Sequence, residues 1–74
     1  MKAAAPRLPA HPIDRRTRAD GGYELFIGSA CVARVLAKDD DWVVENVGAS
    51  CQRVIMDRSE ANLLAARIAR IAAI

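Results

Sequence analysis

The chain has 74 residues, of which 53% are apolar, and it carries a formal net charge of +2. Fifteen of the apolar residues are alanines, so few large side chains remain to build a core. A chain of this size holds one small domain and excludes two, and so small a core favours a homodimer. Two cysteines are too few for a secreted disulfide framework, and no apolar run is long enough to span a membrane. We therefore expect a cytoplasmic protein that does not enter a membrane.

The first twenty residues differ in composition from the rest of the chain. They contain three prolines and five basic residues against two acidic ones, and their apolar residues follow no period. This composition predicts a disordered arm over residues 1–20, with Gly21-Gly22 as the hinge to a folded domain over residues 21–74. Arginine clusters bind phosphate backbones, so Arg15, Arg16 and Arg18 are the candidate nucleic-acid-binding residues.

From Tyr23 onward the apolar residues alternate, which is the period of a β-strand. Short polar turns separate the strand segments, and turns of this length join antiparallel neighbours. The predicted strands cover residues 23–27, 31–37, 42–46 and 51–56. The pattern therefore predicts a β-meander.

The last segment predicts an amphipathic helix that begins after Asp57. Asp57 suits the N-cap, and Glu60 follows three residues later, as in a capping box. Apolar residues then recur at intervals of three and four along one stripe. The stripe consists of Ala61, Leu64, Ala65, Ile68, Ile71 and Ala72. We therefore predict an α+β domain in which an antiparallel sheet of three to four strands packs on one C-terminal helix.

One helix covers only one face of such a sheet, so the other face meets solvent or a partner. Alternation assigns the following residues to the covered face: Tyr23, Leu25, Ile27, Val35, Trp42, Val44, Val54 and Met56. The uncovered face then presents Phe26, Leu36, Val43 and Ile55, diluted by charged residues. Phe26, Val43 and Ile55 are candidates for binding a protein partner or a second copy, although a solvated face and a dimer interface on the helix are alternatives.

The acidic loop Asp39, Asp40 and Asp41 is the most concentrated charge of the predicted domain. A solvated turn is the ordinary interpretation of such a run. Its functional alternative is a knob that docks on a basic partner surface.

Cys31 and Cys51 both begin strands, and the meander places one strand between theirs. Neighbouring strands lie about 4.8 Å apart, so the two positions are about 10 Å apart. A disulfide requires Cα atoms within about 7 Å. We expect no intrachain bond and two free buried thiols, or one that bridges two chains at a dimer axis.

The histidine, cysteine and acidic residues of the sequence are not spaced as a catalytic site or a metal site requires. His11 is the one histidine, and it lies in the predicted arm, where nothing fixes it near a cysteine or serine. Two cysteines with one such histidine do not make a zinc site, and the acidic loop lacks the spacing and the glycine of a calcium loop. The sequence therefore predicts a non-enzymatic protein with no cofactor and no metal.

One longer pattern supports a binding role. It reads Gly22-Tyr23-x-Leu25, then Gly28, then Trp42-x-Val44, and ends in Met56-x-Arg58-Ser59-Glu60-Ala61. The pattern covers about residues 22–66 and resembles very small phage and mobile-element proteins in which a β-meander leads into a capped helix. These include anti-CRISPR inhibitors and arm-type DNA-binding modules. The resemblance implies a module that occupies a protein partner's surface, and its alternative is a nucleic-acid-binding accessory protein that uses the basic arm on phosphates.

Overall fold

The structure of the chain is a computed structural model, and it describes residues 12–74. Its elements follow in chain order as β1 (Ile13–Thr17), β2 (Tyr23–Ile27), β3 (Ala30–Lys38), β4 (Asp41–Asn46), β5 (Cys51–Ile55) and α1 (Arg58–Ala72). The strands form one sheet in the order β1-β2-β3-β4-β5, and every neighbouring pair is antiparallel. The α+β class, the antiparallel sheet and the C-terminal helix are thereby confirmed. The predicted count of three to four strands is wrong, because there are five.

The additional strand is β1, which lies within the predicted arm. It pairs with β2 from Ile13 opposite Ile27 to Thr17 opposite Tyr23, so a disordered arm as far as Asp20 is wrong. The sequence shows no strand period here, because Ile13 is the one aliphatic residue of β1. The strand packs on its neighbours through arginine side chains instead. Residues 1–11 of the predicted arm lie outside the described residues.

Gly21 and Gly22 form the turn of the β1–β2 hairpin, where a hinge was predicted. Arg18 N donates to Gly22 O at 2.9 Å, and Gly21 has a φ of +91°, which favours glycine. Gly22 N donates to Asp20 Oδ1 at 2.9 Å, and this bond lowers the pKa of the Asp20 carboxyl. Gly22 also lies against the carbonyl of Val35 with no space for a Cβ. Gly21 therefore permits the turn, and Gly22 permits close packing of the hairpin on β3.

Helix α1 lies over β3 and β4 and meets the sheet through a row of alanines. Ala61, Ala65 and Ala69 have no exposed surface, and they are spaced four residues apart, so they form one narrow line along the helix. They pack in one core with Tyr23, Leu25, Ala33, Val35 and Val44. Because alanine ends at Cβ, this row lets the helix backbone approach the sheet closely.

The helix start is confirmed, whereas the predicted stripe is too wide. Asp57 is the N-cap, and its side chain accepts a hydrogen bond from Ser59 N at 3.2 Å. Leu64 and Ile68 are half-buried beside the alanine row, and Ile71 is exposed. The helix therefore presents aliphatic side chains outside the core.

The faces of β5 are opposite to those predicted. Val54 pairs with Val43 on the uncovered face, and Ile55 pairs with Trp42 on the covered face. The preceding turn sets this phase: Ser50 adopts a left-handed φ of +54°, and Cys51 then pairs with Asn46. Ile55 packs against the core, so its predicted place on the outer face is wrong.

The alanine row predicts an asymmetric response to larger side chains. Ala65→Leu forces extra atoms between α1 and the sheet, so we expect it to cost about 1–3 kcal/mol of unfolding free energy. Ala66→Leu makes the same change at an exposed position of the same helix and should be nearly neutral. Urea denaturation followed by circular dichroism measures both. Equal losses of unfolding free energy in the two variants would show that the alanine row is not the closest contact between α1 and the sheet.

Candidate functional site

The three apolar residues predicted to bind a partner on the uncovered face do not form an exposed patch. Val43 is buried, because it lies between Leu36 of β3 and Val54 of β5. Phe26 is half-buried, and the Arg16 guanidinium lies 4.0 Å from the centre of its ring. With Ile55 on the other face, the predicted apolar surface is largely closed by its own neighbours.

An ion-pair ladder crosses the centre of the uncovered face. Arg34 on β3 donates from Nε to Glu24 Oε2 at 2.9 Å and from a terminal nitrogen to Glu45 Oε1 at 2.8 Å. The three residues are directly opposite one another on β2, β3 and β4. The hydrogen bonds from both carboxylates raise the pKa of Arg34, which stays charged. This face therefore satisfies its central charges internally.

The arginines predicted to contact nucleic acid are engaged within the fold. The Arg15 guanidinium lies 3.9 Å from the centre of the Tyr23 ring, and Arg16 covers Phe26. Arg18 pairs with Asp20 at 3.3 Å and with Glu24 at 3.6 Å. Residues 12–74 carry nine basic and nine acidic residues, so the described surface has no net positive charge. The structure thus places these arginines against aromatic rings and carboxylates.

The acidic loop is the tight turn between β3 and β4. Asp41 pairs with Lys38 across the end of this hairpin, and Asp39 adopts a φ of +54°. Asp39 and Asp40 are exposed at the tip. The turn therefore presents two carboxylates to solvent. This exposure fits both a solvated turn and a knob that docks on a basic partner surface.

Two apolar surfaces that sequence reasoning did not identify lie beside β5. The first, here named the α1 flank, consists of Leu64 and Ile68, which face β5, and of Leu63 and Ile71, which lie next to them on the helix and are exposed. The second, named the β5 edge, is the outer side of Cys51–Ile55 with Met56. Leu63, Ile71, Val54 and Met56 are each more than 60% exposed. Their signal in the sequence is that aliphatic residues occupy more of the helix circumference than one buried face needs.

A shallow groove separates the α1 flank from β5. Its volume is about 120 Å³, and Leu64 and Ile68 form one wall above Cys51 and Arg53 of the strand. A wider depression on the outer side of the flank is lined by Glu60, Leu63, Leu64, Arg67 and Arg70. Three arginines and one glutamate therefore border these aliphatic side chains.

The opposite side of α1 is held by a polar contact. Tyr23 Oη donates to Asn62 Oδ1 at 2.6 Å. At the start of the helix, the Arg58 guanidinium lies 4.5 Å from the centre of the Trp42 ring and donates to Gly21 O at 3.2 Å. Burial raises the pKa of Tyr23, which stays a hydrogen-bond donor. The helix is thereby fixed toward β2, and its β5 side stays open.

Within residues 12–74, no cluster of three or more cysteine, histidine or acidic side chains is arranged to bind a metal ion. In the same range the helix is too short and too polar to cross a membrane.

The two cysteines are free, and the strand order places β4 between the strands that carry them, as predicted. Cys31 is half-buried, and its Sγ donates to Ala33 O at 3.5 Å. Burial raises the pKa of the Cys31 thiol. Cys51 is exposed on the β5 edge, so its predicted burial is wrong.

This difference predicts selective alkylation of the two thiols. A thiolate is the reacting species, so the raised pKa and the partial burial of Cys31 slow its reaction. We expect iodoacetamide at neutral pH to modify Cys51 well before Cys31, as measured by peptide mass spectrometry over time. Equal rates in the native protein would contradict the placement of Cys31, and equal rates in urea are the control.

Known proteins offer no template for these surfaces. No family model matches the chain, and neither a curated protein nor a solved structure is significantly similar to it. A functional assignment therefore depends on the side chains described above.

Proposed function

We propose that this chain is a non-enzymatic protein-interaction module that acts by occupying part of a partner protein's surface. The α1 flank carries this proposal, because it keeps Leu63 and Ile71 in solvent next to the half-buried Leu64 and Ile68. Contiguous aliphatic surface of this kind marks a protein contact more often than isolated exposed residues do. The partner surface that fits is apolar at its centre.

The charges around the flank specify the rim of the partner surface. Arg53, Arg67 and Arg70 border the aliphatic side chains, against Glu60 alone. A partner with carboxylates around an apolar centre is complementary to this arrangement and is steered toward it. An anti-CRISPR-type inhibitor, which binds a nuclease surface, is one such module and stays a prediction from the sequence resemblance.

The chemistry of the described residues supports a binding role over catalysis. Within residues 12–74 no charged residue is buried, and the hydroxyl of the buried Tyr23 is engaged by Asn62. Catalytic groups are usually found where burial and neighbouring charges shift a pKa toward the reaction's needs. The raised pKa of Cys31 disfavours the thiolate, which is opposite to the requirement of a nucleophile.

The proposal is tested by a substitution on the flank and a matched one outside it. Ile71→Glu places a carboxylate in the apolar centre, whereas Ala66→Glu places a carboxylate at an exposed position of the same helix that lies outside the flank. We expect the wild type and the Ala66→Glu variant to retain the same protein from an extract of the host cells. The Ile71→Glu variant should bind it about tenfold more weakly or not at all, as measured by titration with the purified partner.

Salt distinguishes this function from the nucleic-acid alternative. Counterion release lowers nucleic-acid affinity steeply between about 50 and 200 mM salt, whereas an apolar protein contact changes little. We expect weak salt dependence and resistance of the complex to nuclease. A steep dependence that Arg15→Ala, Arg16→Ala and Arg18→Ala reduce, with Ile71→Glu without effect, would establish the alternative.

A further inference from the structure

The two edges of the sheet differ in their protection against strand pairing. β1 follows Pro12 and presents Asp14, Arg15 and Arg16 in its centre. Charged residues and proline on an edge strand are the features that prevent pairing with another chain. The β1 edge is therefore protected against pairing with a strand of another chain.

The β5 edge lacks this protection. Arg53 is its one charged residue, Val54 is 62% exposed and Met56 is 81% exposed. Helix α1 lies over β3 and β4, so it does not cover the outer side of β5. An uncovered edge with exposed aliphatic side chains is a template for another strand.

We propose that the β5 edge pairs antiparallel with the β5 edge of a second copy, so that two five-stranded sheets become one continuous sheet. A two-fold axis perpendicular to the sheet relates the copies, and both helices lie on the same side of it. This inference goes beyond the proposed function, because it concerns a different surface and a different occupant. It also differs from both interfaces predicted from the sequence, the outer sheet face and the helix.

The side chains of β5 specify the register. With this axis, residues of the same face stand opposite each other. Centring the pair on Val54 places Val54 opposite its own counterpart on the uncovered face and Gln52 opposite Met56, the first residue after β5. On the other face Arg53 stands opposite Ile55. This register buries the two most exposed aliphatic residues of the edge, and no like charges meet.

The neighbouring registers are less favourable. A pair centred on Arg53 places two guanidinium groups directly opposite each other, which is destabilising. A pair centred on Gln52 leaves Met56 outside the ladder. A pair centred on Ile55 extends to Asp57, two residues beyond the end of β5, whose side chain already caps α1.

The two helices do not hold this dimer together. Each helix lies above the boundary of β3 and β4, so the axes of the two helices are four strand spacings apart, or about 19 Å. Helices in contact have axes about 8–10 Å apart. The α1 flanks of the two copies therefore face each other across the paired β5 strands without touching.

Cysteine scanning reads the register directly. In a Cys31→Ser, Cys51→Ser background, single cysteines are introduced by Gln52→Cys, Arg53→Cys, Val54→Cys and Ile55→Cys. Directly opposed positions have Cα atoms about 4.5–5.5 Å apart, within reach of a disulfide, whereas Gln52 and its counterpart are about 14 Å apart in the proposed register. We expect mild oxidation to cross-link Val54→Cys most efficiently. Strongest cross-linking at any other position overturns the register, and none at all four positions overturns the pairing.

A charge pair tests the dimer without cysteine. Val54→Lys brings two ammonium groups together at the axis and should raise the dimer dissociation constant by about tenfold. Gln52→Lys adds the same charge to the same face of the strand, opposite Met56, and should have a smaller effect. Light scattering over micromolar concentrations measures both, and the wild type should approach twice the 8.0 kDa of one chain. A wild type that stays monomeric, or equal effects of the two substitutions, contradicts the proposal.

The flank variant separates this inference from the proposed function. Ile71→Glu should leave the dimer intact while it weakens partner binding, because the helices are outside the strand interface. Loss of the dimer in Ile71→Glu would place the interface on α1 and overturn the strand pairing. Circular dichroism of each variant confirms that the exposed substitutions leave the fold unchanged.

Discussion

The close contact between the alanine row of α1 and the middle of the sheet determines how the rest of the molecule is arranged. Ala61, Ala65 and Ala69 lie directly on the region of Val35 and Val44 and leave no exposed surface there. A helix that binds centrally through so narrow a line covers the middle strands and leaves the edge strands uncovered. The larger aliphatic residues of α1 consequently lie beside the contact and not within it. Both proposed binding surfaces arise from this arrangement.

The apolar residues on the two faces of the sheet are shielded from water in different ways. The covered face is closed by the helix, whereas the uncovered face is closed by its own long side chains. Arg34 joins two carboxylates across three strands, and Arg16 lies over Phe26. Arginine stems cover apolar surface while the charged groups stay in water. The uncovered face is thereby compatible with solvent. The large apolar side chains that stay exposed lie mainly at β5 and on the α1 flank.

The β5 edge and the α1 flank are adjacent but offer different contacts. The edge presents unpaired backbone groups of a strand, which another strand can satisfy, whereas the flank presents side chains alone. A strand pair at the edge brings two flanks to the same side of one sheet. A partner with matching symmetry would then engage both flanks at once, and the linkage of two sites strengthens binding without any new type of contact. The two proposed contacts are therefore compatible in one small chain.

The sequence alone determined the α+β class, the meander from β2 to β5, the N-cap at Asp57 and the separation of the two cysteines, because these depend on local periodicity, short turns and capping chemistry. Tertiary structure decided the remainder. β1 is stabilised by pairing with β2 and by arginine–aromatic stacking, neither of which leaves an apolar period in Ile13–Thr17. The faces of β5 depend on the turn at Ser50, where one residue of phase exchanges Val54 and Ile55. The candidate surfaces depend on which side of α1 meets the sheet, and a helix with aliphatic residues around most of its circumference does not specify that side until it is packed.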